Sequence, residues 1–253
     1  MSKTGSRPRK TARKSPARRA SRAPAPARGD GLLRRAWRWG LRGLAGVLVL
    51  LAAALVAFRF VAPPQGIYMR MEAARLDGID RQWVAMPAIS PHLARAVVAA
   101  EDANFCRHWG FDMGAIRAAI EDGASRGAST ISQQTVKNVF LWQGRSWPRK
   151  ALEAAITPLA EAAWPKRRML EIYLNVAEFD TGVFGAEAAA QHHFGVPAAK
   201  LTPAQSALLA AALPAPQKRS VVRPSAWMQR RAAAIRAGAA TIAADGRDAC
   251  FRS

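Results

Sequence analysis

The sequence predicts a mainly α-helical domain preceded by a single apolar helix. Three observations carry that expectation. Helix-start signals recur along the chain, each followed by an apolar or alanine-rich run. No run sustains a two-residue alternation, which leaves little room for sheet. And from Gly43 to Phe58 the chain passes sixteen residues without a charge. Half of the 253 residues are hydrophobic, enough for a packed core, and the two cysteines exclude a small disulfide-stapled scaffold.

Taken in order, residues 1–30 hold Lys, Arg, Ser, Ala, Pro and Gly with almost nothing to bury, so disorder is expected. The basic tail extends to residue 39, and the apolar helix is expected over 40–62. Arg42 and Arg59 bracket its uncharged run, Trp37 and Trp39 sit where an interfacial belt belongs, and Pro63-Pro64 ends the helix. A core helix would show a polar face. A cleaved signal peptide would show small residues where Phe58-Arg59-Phe60 stands. The run therefore reads as a retained membrane anchor. The positive-inside rule puts the tail in the cytoplasm and residues 65–253 on the other side of the membrane. The net charge of +21 is largely a tail property, since residues 1–42 carry 14 Lys or Arg and one acid, Asp30. Topology and anionic lipid account for that charge without nucleic acid.

Beyond the anchor, Ser90-Pro91 gives an N-cap and a first-turn proline for a helix ending near Glu101-Asp102. Thr130 to Gln133 matches a capping box. Ser146 and Pro148 open a helix with a kink expected at Pro158. Pro165 opens the next, Thr202-Pro203 another, and an alanine-rich helix is expected over about 225–243.

Several kinds of chemistry are excluded. H-E-x-x-H is absent, and His192-His193 has no carboxylate at ligand spacing, which argues against zinc. There is no Ser-x-x-Lys, Walker A or G-x-G-x-x-G. What remains is carboxylates, cations and amides. Glu101 ends a helix, where the negative dipole end raises a carboxyl pKa and favours a general base; a solvated helix end is the plainer reading. In Gly127 to Asn138, Gln134, Lys137 and Asn138 share one helix face near hydroxyls, suited to a phosphate or sugar, or simply a capped helix with a polar face. Arg145, Arg149 and Lys150 lie near Glu153, with an intrahelical ion pair as the alternative. Lys166-Arg167-Arg168 with Glu171 reads equally as a charged face.

Together these segments resemble the peptidoglycan glycosyltransferase family (glycosyltransferase family 51), whose domain also occurs in class A penicillin-binding proteins. E-D-x-x-F-x-x-H-x-G-F-D matches at 101–112, G-G-S-T-I-T-Q-Q-x-x-K-N at 127–138 except for Ala128 and Ser132, and R-K-x-x-E at 149–153. K-x-x-I-L-E-x-Y-L-N matches at 166–175 with Met169 for Ile, and a fifth segment resembles Gly182 to Gly195. The resemblance covers about residues 85–215 and is strongest to the stand-alone, membrane-anchored branch. It implies a lysozyme-like, two-lobed α-helical fold, and a periplasmic enzyme held in the bacterial inner membrane by one span. Such an enzyme polymerises lipid II into β-1,4-linked glycan with inversion and releases undecaprenyl pyrophosphate. Glu101 would be the base and Glu153 the second catalytic carboxylate. Asp102, Phe105, Ser129, Gln133, Gln134, Lys137, Asn138, Arg145, Arg149, Lys150, Lys166 and Glu171 would contact or frame the substrate. No cofactor is obligatory; a Mg2+ or Mn2+ ion near Glu153 is an optional addition. Partners would be lipid II, undecaprenyl-pyrophosphate-linked glycan, the membrane and other cell-wall synthesis proteins. A lytic muramidase is one rival, set against by cations that a hydrolase would not need. A non-enzymatic membrane scaffold is another. Val139-Phe140-Leu141-Trp142 with Trp147 would meet lipid or pack in the core. Cys106 and Cys250 would share an oxidising compartment and are a candidate disulfide, or two unpaired cysteines.

Overall fold

The computed structural model describes residues 1, 2, 5, 29–123, 127–144 and 146–252. Ten α-helices dominate those residues. The apolar helix α1 spans Gly29–Phe58. It therefore begins inside the segment expected to be tail, and it ends four residues short of the expected 62. Its Leu33–Phe58 stretch is long and apolar enough, by length and composition, to cross a membrane.

The chain divides into two compact units, residues 1–48 and 49–253. The end of α1 thus belongs with the larger unit. Within that unit Leu55 is buried, and the Trp164 indole N–H donates to the Leu55 carbonyl at 2.7 Å. The Arg168 guanidinium donates to the carbonyls of Phe58 and Val61. The Phe140 ring stacks on both Phe58 and Trp164. Those contacts turn Phe140 into the core, and Leu141 is buried too. Trp142 and Trp147 are the exposed members of the stretch expected to meet lipid.

The remaining helices are α2 (Ile67–Leu76), α3 (Pro91–Glu101), α4 (Met113–Glu121), α5 (Ile131–Phe140), α6 (Trp147–Ala163), α7 (Lys166–Val176), α8 (Ala186–Phe194), α9 (Pro203–Ala212) and α10 (Ala226–Ala244). Helices α3, α9 and α10 pack against one another, and α5 packs on α6 and α7. Helix α6 runs on through Pro158. Thr130 and Thr202 each close a capping box, satisfying first-turn N–H groups at the start of α5 and α9.

Strands β1 (Asp80–Arg81), β2 (Glu178–Asp180) and β3 (Val183–Phe184) form one sheet in the order β1-β3-β2. The outer pairs are β1 parallel and β2 antiparallel to β3. Gly185 joins this sheet to α8 at φ 92°, where a Cβ would lie 3.0 Å from the Asn175 carbonyl oxygen, so only glycine fits without movement.

Cys106 and Cys250 are bonded, with their Cα atoms 5.6 Å apart and 144 positions between them in sequence. Around the bond, Phe251 packs on Phe105, and Arg95 holds the buried Asp248 at 2.8 Å. The C-terminal segment is thereby fastened to the loop that follows Glu101. Replacing both cysteines with serine is expected to lower stability, by at most about 4–5 kcal/mol on a loop-entropy basis. Thermal denaturation of the unreduced proteins checks this, and an unchanged Tm would show that Phe105, Phe251 and the Arg95–Asp248 pair hold the segment alone.

Candidate active site

Helix α3 starts at Ser90, whose hydroxyl accepts from the His92 N–H, and Pro91 pre-sets the first turn. Its buried face of Leu93, Ala94, Ala96, Val97 and Val98 locks it into the core. The helix ends at Glu101, and the chain then swings to φ −162° at Asp102, sending the two carboxylates apart. Asp102 points inward. One of its oxygens meets His108 Nε2 at 2.8 Å and the other accepts from the Ile131 N–H at 3.0 Å. Buried and doubly engaged, Asp102 secures the start of α5.

Glu101 keeps part of its surface open. One oxygen accepts from Gln134 Nε2 at 2.9 Å, and the Tyr173 hydroxyl donates to Gln134 Oε1 at 3.2 Å. Burial pushes the Glu101 carboxyl above the ordinary range, opposed by the Gln134 hydrogen bond and by the charges of Arg231, Lys137 and Arg219. The leading cause is desolvation, where the sequence had pointed to the helix end. A base works only when deprotonated, so activity should fall as pH drops through this raised value. Gln134→Leu removes a hydrogen bond that favours the charged form. Its acid limb in kcat/KM should move to higher pH than that of wild type. An unmoved limb would mean that Gln134 does not tune Glu101.

Helix α5 supplies the next groups. The Thr130 hydroxyl donates to the Gly110 carbonyl at 2.7 Å, and Gln133 Oε1 accepts from the Thr130 N–H at 3.0 Å. Gln133 is therefore buried and engaged in the cap of α5. Lys137 has no hydrogen bond or ion pair among the described residues. Burial lowers its pKa, with Arg149 and Lys150 adding to the fall and Glu153 and Glu101 opposing it. Asn138 accepts weakly from Gln143 at 3.4 Å. A cavity of about 410 Å3 opens beside these groups, lined by Gln134, Lys137, Asn138, Tyr173, Tyr68 and Glu178 among others.

A second cluster lies along the first turns of α6. Glu153 is buried, with one oxygen held by Arg149 Nη1 at 2.7 Å and the other by the Lys150 ammonium. Lys150 also donates to the Ser129 hydroxyl at 2.9 Å, tying this cluster to the loop before α5. Arg149 donates to the Gly144 carbonyl. Arg145 lies outside the described residues. With both carboxylate oxygens engaged by cationic side chains, Glu153 is a poor fit for a divalent ion among the described residues.

Three further residues of the expected set are held by partners within the protein. Phe105 is fully buried, with the Lys166 ammonium 4.5 Å from its ring centroid. Lys166 pairs with Glu161 at 2.7 Å, and Ser132 donates to that same carboxylate. Glu171 is engaged by Arg168 and accepts from the Met86 N–H at 2.9 Å. These three residues brace the site from behind. Sequence reasoning missed Tyr68 and Glu178, joined at 2.6 Å on the cavity wall, and the charges of Arg219 and Arg231 near Glu101. The segments that carry them gave no motif signal. His192-His193 has no carboxylate at ligand spacing in the sequence, but the fold brings Asp180 beside both rings.

Comparison with known proteins is consistent along the whole domain. The family model described as Transglycosylase matches residues 70–239. The chain is 65% identical over 214 residues to a protein of Jannaschia sp. (strain CCS1) named biosynthetic peptidoglycan transglycosylase, covering 85% of this chain and 90% of that protein. Identically named proteins of Rhodospirillum centenum and Caulobacter vibrioides are 51% and 49% identical, each over 82% of this chain and over 92% and 93% of their own lengths.

Proposed function

The chain belongs to the transglycosylase family, and on that premise we propose that Glu101 is the base of a glycosyl transfer that builds peptidoglycan. The protein is a peptidoglycan glycosyltransferase of cell-wall synthesis, and its substrate is a lipid II-type glycan. In the proposed reaction Glu101 takes the proton from the acceptor sugar's 4-hydroxyl as that oxygen attacks C1 of the donor. The C1–O bond to pyrophosphate breaks on the opposite face, which inverts the anomeric centre and gives a β-1,4 link. The electron pair leaves with undecaprenyl pyrophosphate.

The observation that carries this reading is a carboxylate of raised pKa reached through Gln134 from a cavity whose wall also presents Lys137, a lysine without a partner among the described residues. A leaving pyrophosphate gains negative charge in the transition state, and a fixed cation aimed at it acts there more than in the ground state. We assign Lys137, with Lys150 and Arg149 nearby, to that charge. Glu153 holds the latter two cations in place, and Ser129 positions Lys150. Gln134 orients the base, and Asn138 faces the donor. Arg145 is assigned to the same phosphate by its place in the motif alone.

The α1 helix fits a single-pass anchor, and we propose a cytoplasmic tail and a periplasmic domain. The disulfide supports that side, since such bonds persist in oxidising compartments. Incubating the full-length protein separately with lipid II and with finished glycan tests the function. Glycan polymer from lipid II, with undecaprenyl pyrophosphate released, is expected. Cleavage of finished glycan without polymerisation would instead make the protein a muramidase.

A further inference from the structure

Strand β2 and helix α8 bring three metal-ligating side chains together outside the cavity described above. Asp180 ends β2, and His192 and His193 are adjacent in the last turn of α8. One ligand atom from each lies within 4.8 Å of the others. The Asp180 Oδ2 atom is 3.6 Å from His193 Nε2 and 3.9 Å from His192 Nε2. Its other oxygen accepts from the Thr181 N–H, which fixes the carboxylate and leaves Oδ2 free to face the rings.

The cluster has a feature that ordinary packing does not explain. The His193 side chain is 1% exposed, and neither ring nitrogen makes a hydrogen bond of full geometry among the described residues; the Phe179 backbone lies near enough to interact with the ring. Buried imidazole nitrogens are normally satisfied, because each has lost its water. The spacing to Asp180 is too long for a hydrogen bond but suits a site with an ion between the groups. Metal–ligand bonds of about 2.0–2.2 Å place tetrahedral donors roughly 3.3 Å apart, a small closure from the distances present. His192 is half-exposed, so the site has an opening toward solvent and a route of entry.

We propose that Asp180, His192 and His193 form a binding site for a divalent transition metal, zinc in the first instance. Two imidazoles and one carboxylate make a borderline donor set. It suits Zn2+ and disfavours Mg2+, which takes oxygen ligands in an octahedron. A water would supply the fourth position. The bound ion would link α8 to the β2–β3 turn, two residues beyond the cavity-wall carboxylate of Glu178. It would act on the stability of that wall and take no part in glycosyl transfer. The two cysteines are bonded to each other and do not compete for the ion.

The test uses full-length protein in detergent, stripped with chelator and dialysed. Calorimetric titration with ZnCl2 should show one ion per chain, with a rise in Tm on binding. Co2+ should give the visible absorption of a tetrahedral site. His192→Ala and Asp180→Asn alter accessible side chains and should leave the fold intact. Each should weaken zinc binding by more than about tenfold, and Mg2+ should not compete. No zinc binding by wild type, or an unchanged Kd in either variant, would overturn the site.

Discussion

Glu101→Gln is expected to lower lipid II polymerisation by about 10²–10⁴-fold while leaving the protein at least as stable as wild type. The two halves of that expectation come from one physical fact. Burial holds the Glu101 carboxyl above its ordinary value. A folded-state pKa raised above the unfolded one contributes stability below the unfolded pKa, and that contribution is lost as pH rises through the folded pKa. Whenever Glu101 is ionised, as a base must be, the wild type therefore carries a desolvated carboxylate. Glutamine keeps an oxygen for the Gln134 amide to donate to, but it has no charge to desolvate and cannot take a proton. A site that gives up stability to hold a reactive group is the expected trade. Polymerisation and thermal denaturation should be measured on the same preparations. Near-normal turnover would remove Glu101 as the base, and a fall in Tm would assign any loss of activity to misfolding.

Much of the fold was legible because its signals are local. Ser90-Pro91, the Thr130–Gln133 box and the proline before α7 are short patterns with direct backbone causes, and each does start a helix. Helix α2 was missed because Ile67–Leu76 follows a proline pair and a glycine with no side-chain cap. Strands of two or three residues are shorter than one readable alternation.

The candidate site was legible as a list of segments but not as a set of directions. Sequence spacing places Glu101 beside Asp102 and Gln133 beside Gln134. Only the turn of the backbone after α3 and the cap of α5 decide that Asp102 and Gln133 face inward while Glu101 and Gln134 meet. The contact of the Lys166 ammonium with the Phe105 ring was not legible for the same reason, since a ring beneath an ammonium is a three-dimensional fact. The Asp180–His192–His193 cluster crosses a strand, a turn and a whole helix, a distance over which no ligand-spacing rule applies.

Lys137→Ala is expected to cost about 2–4 kcal/mol of transition-state stabilisation, which is roughly 30- to 1000-fold in rate. The lysine has lost water to burial and has gained no partner among the described residues in return. An ammonium in that state is preorganised for an anion that arrives or develops beside it. Because the pyrophosphate gains charge only as its bond to C1 breaks, the loss should fall mainly on kcat, with KM for lipid II changing less. Removal of a half-buried cation with no partner among the described residues should not destabilise the protein, so the Tm of the variant should match or exceed that of wild type. The pH profile supplies an independent check. Burial and the nearby Arg149 and Lys150 lower the Lys137 pKa, so wild-type activity should fall as pH rises through a value below that of an ordinary lysine. Acting with a base of raised pKa, it narrows the active window from both sides. In Lys137→Ala the residual activity should lose this alkaline limb and keep the acid limb set by Glu101. A variant that polymerises lipid II at the wild-type rate, or one whose alkaline limb is unchanged, would take Lys137 out of the phosphate site.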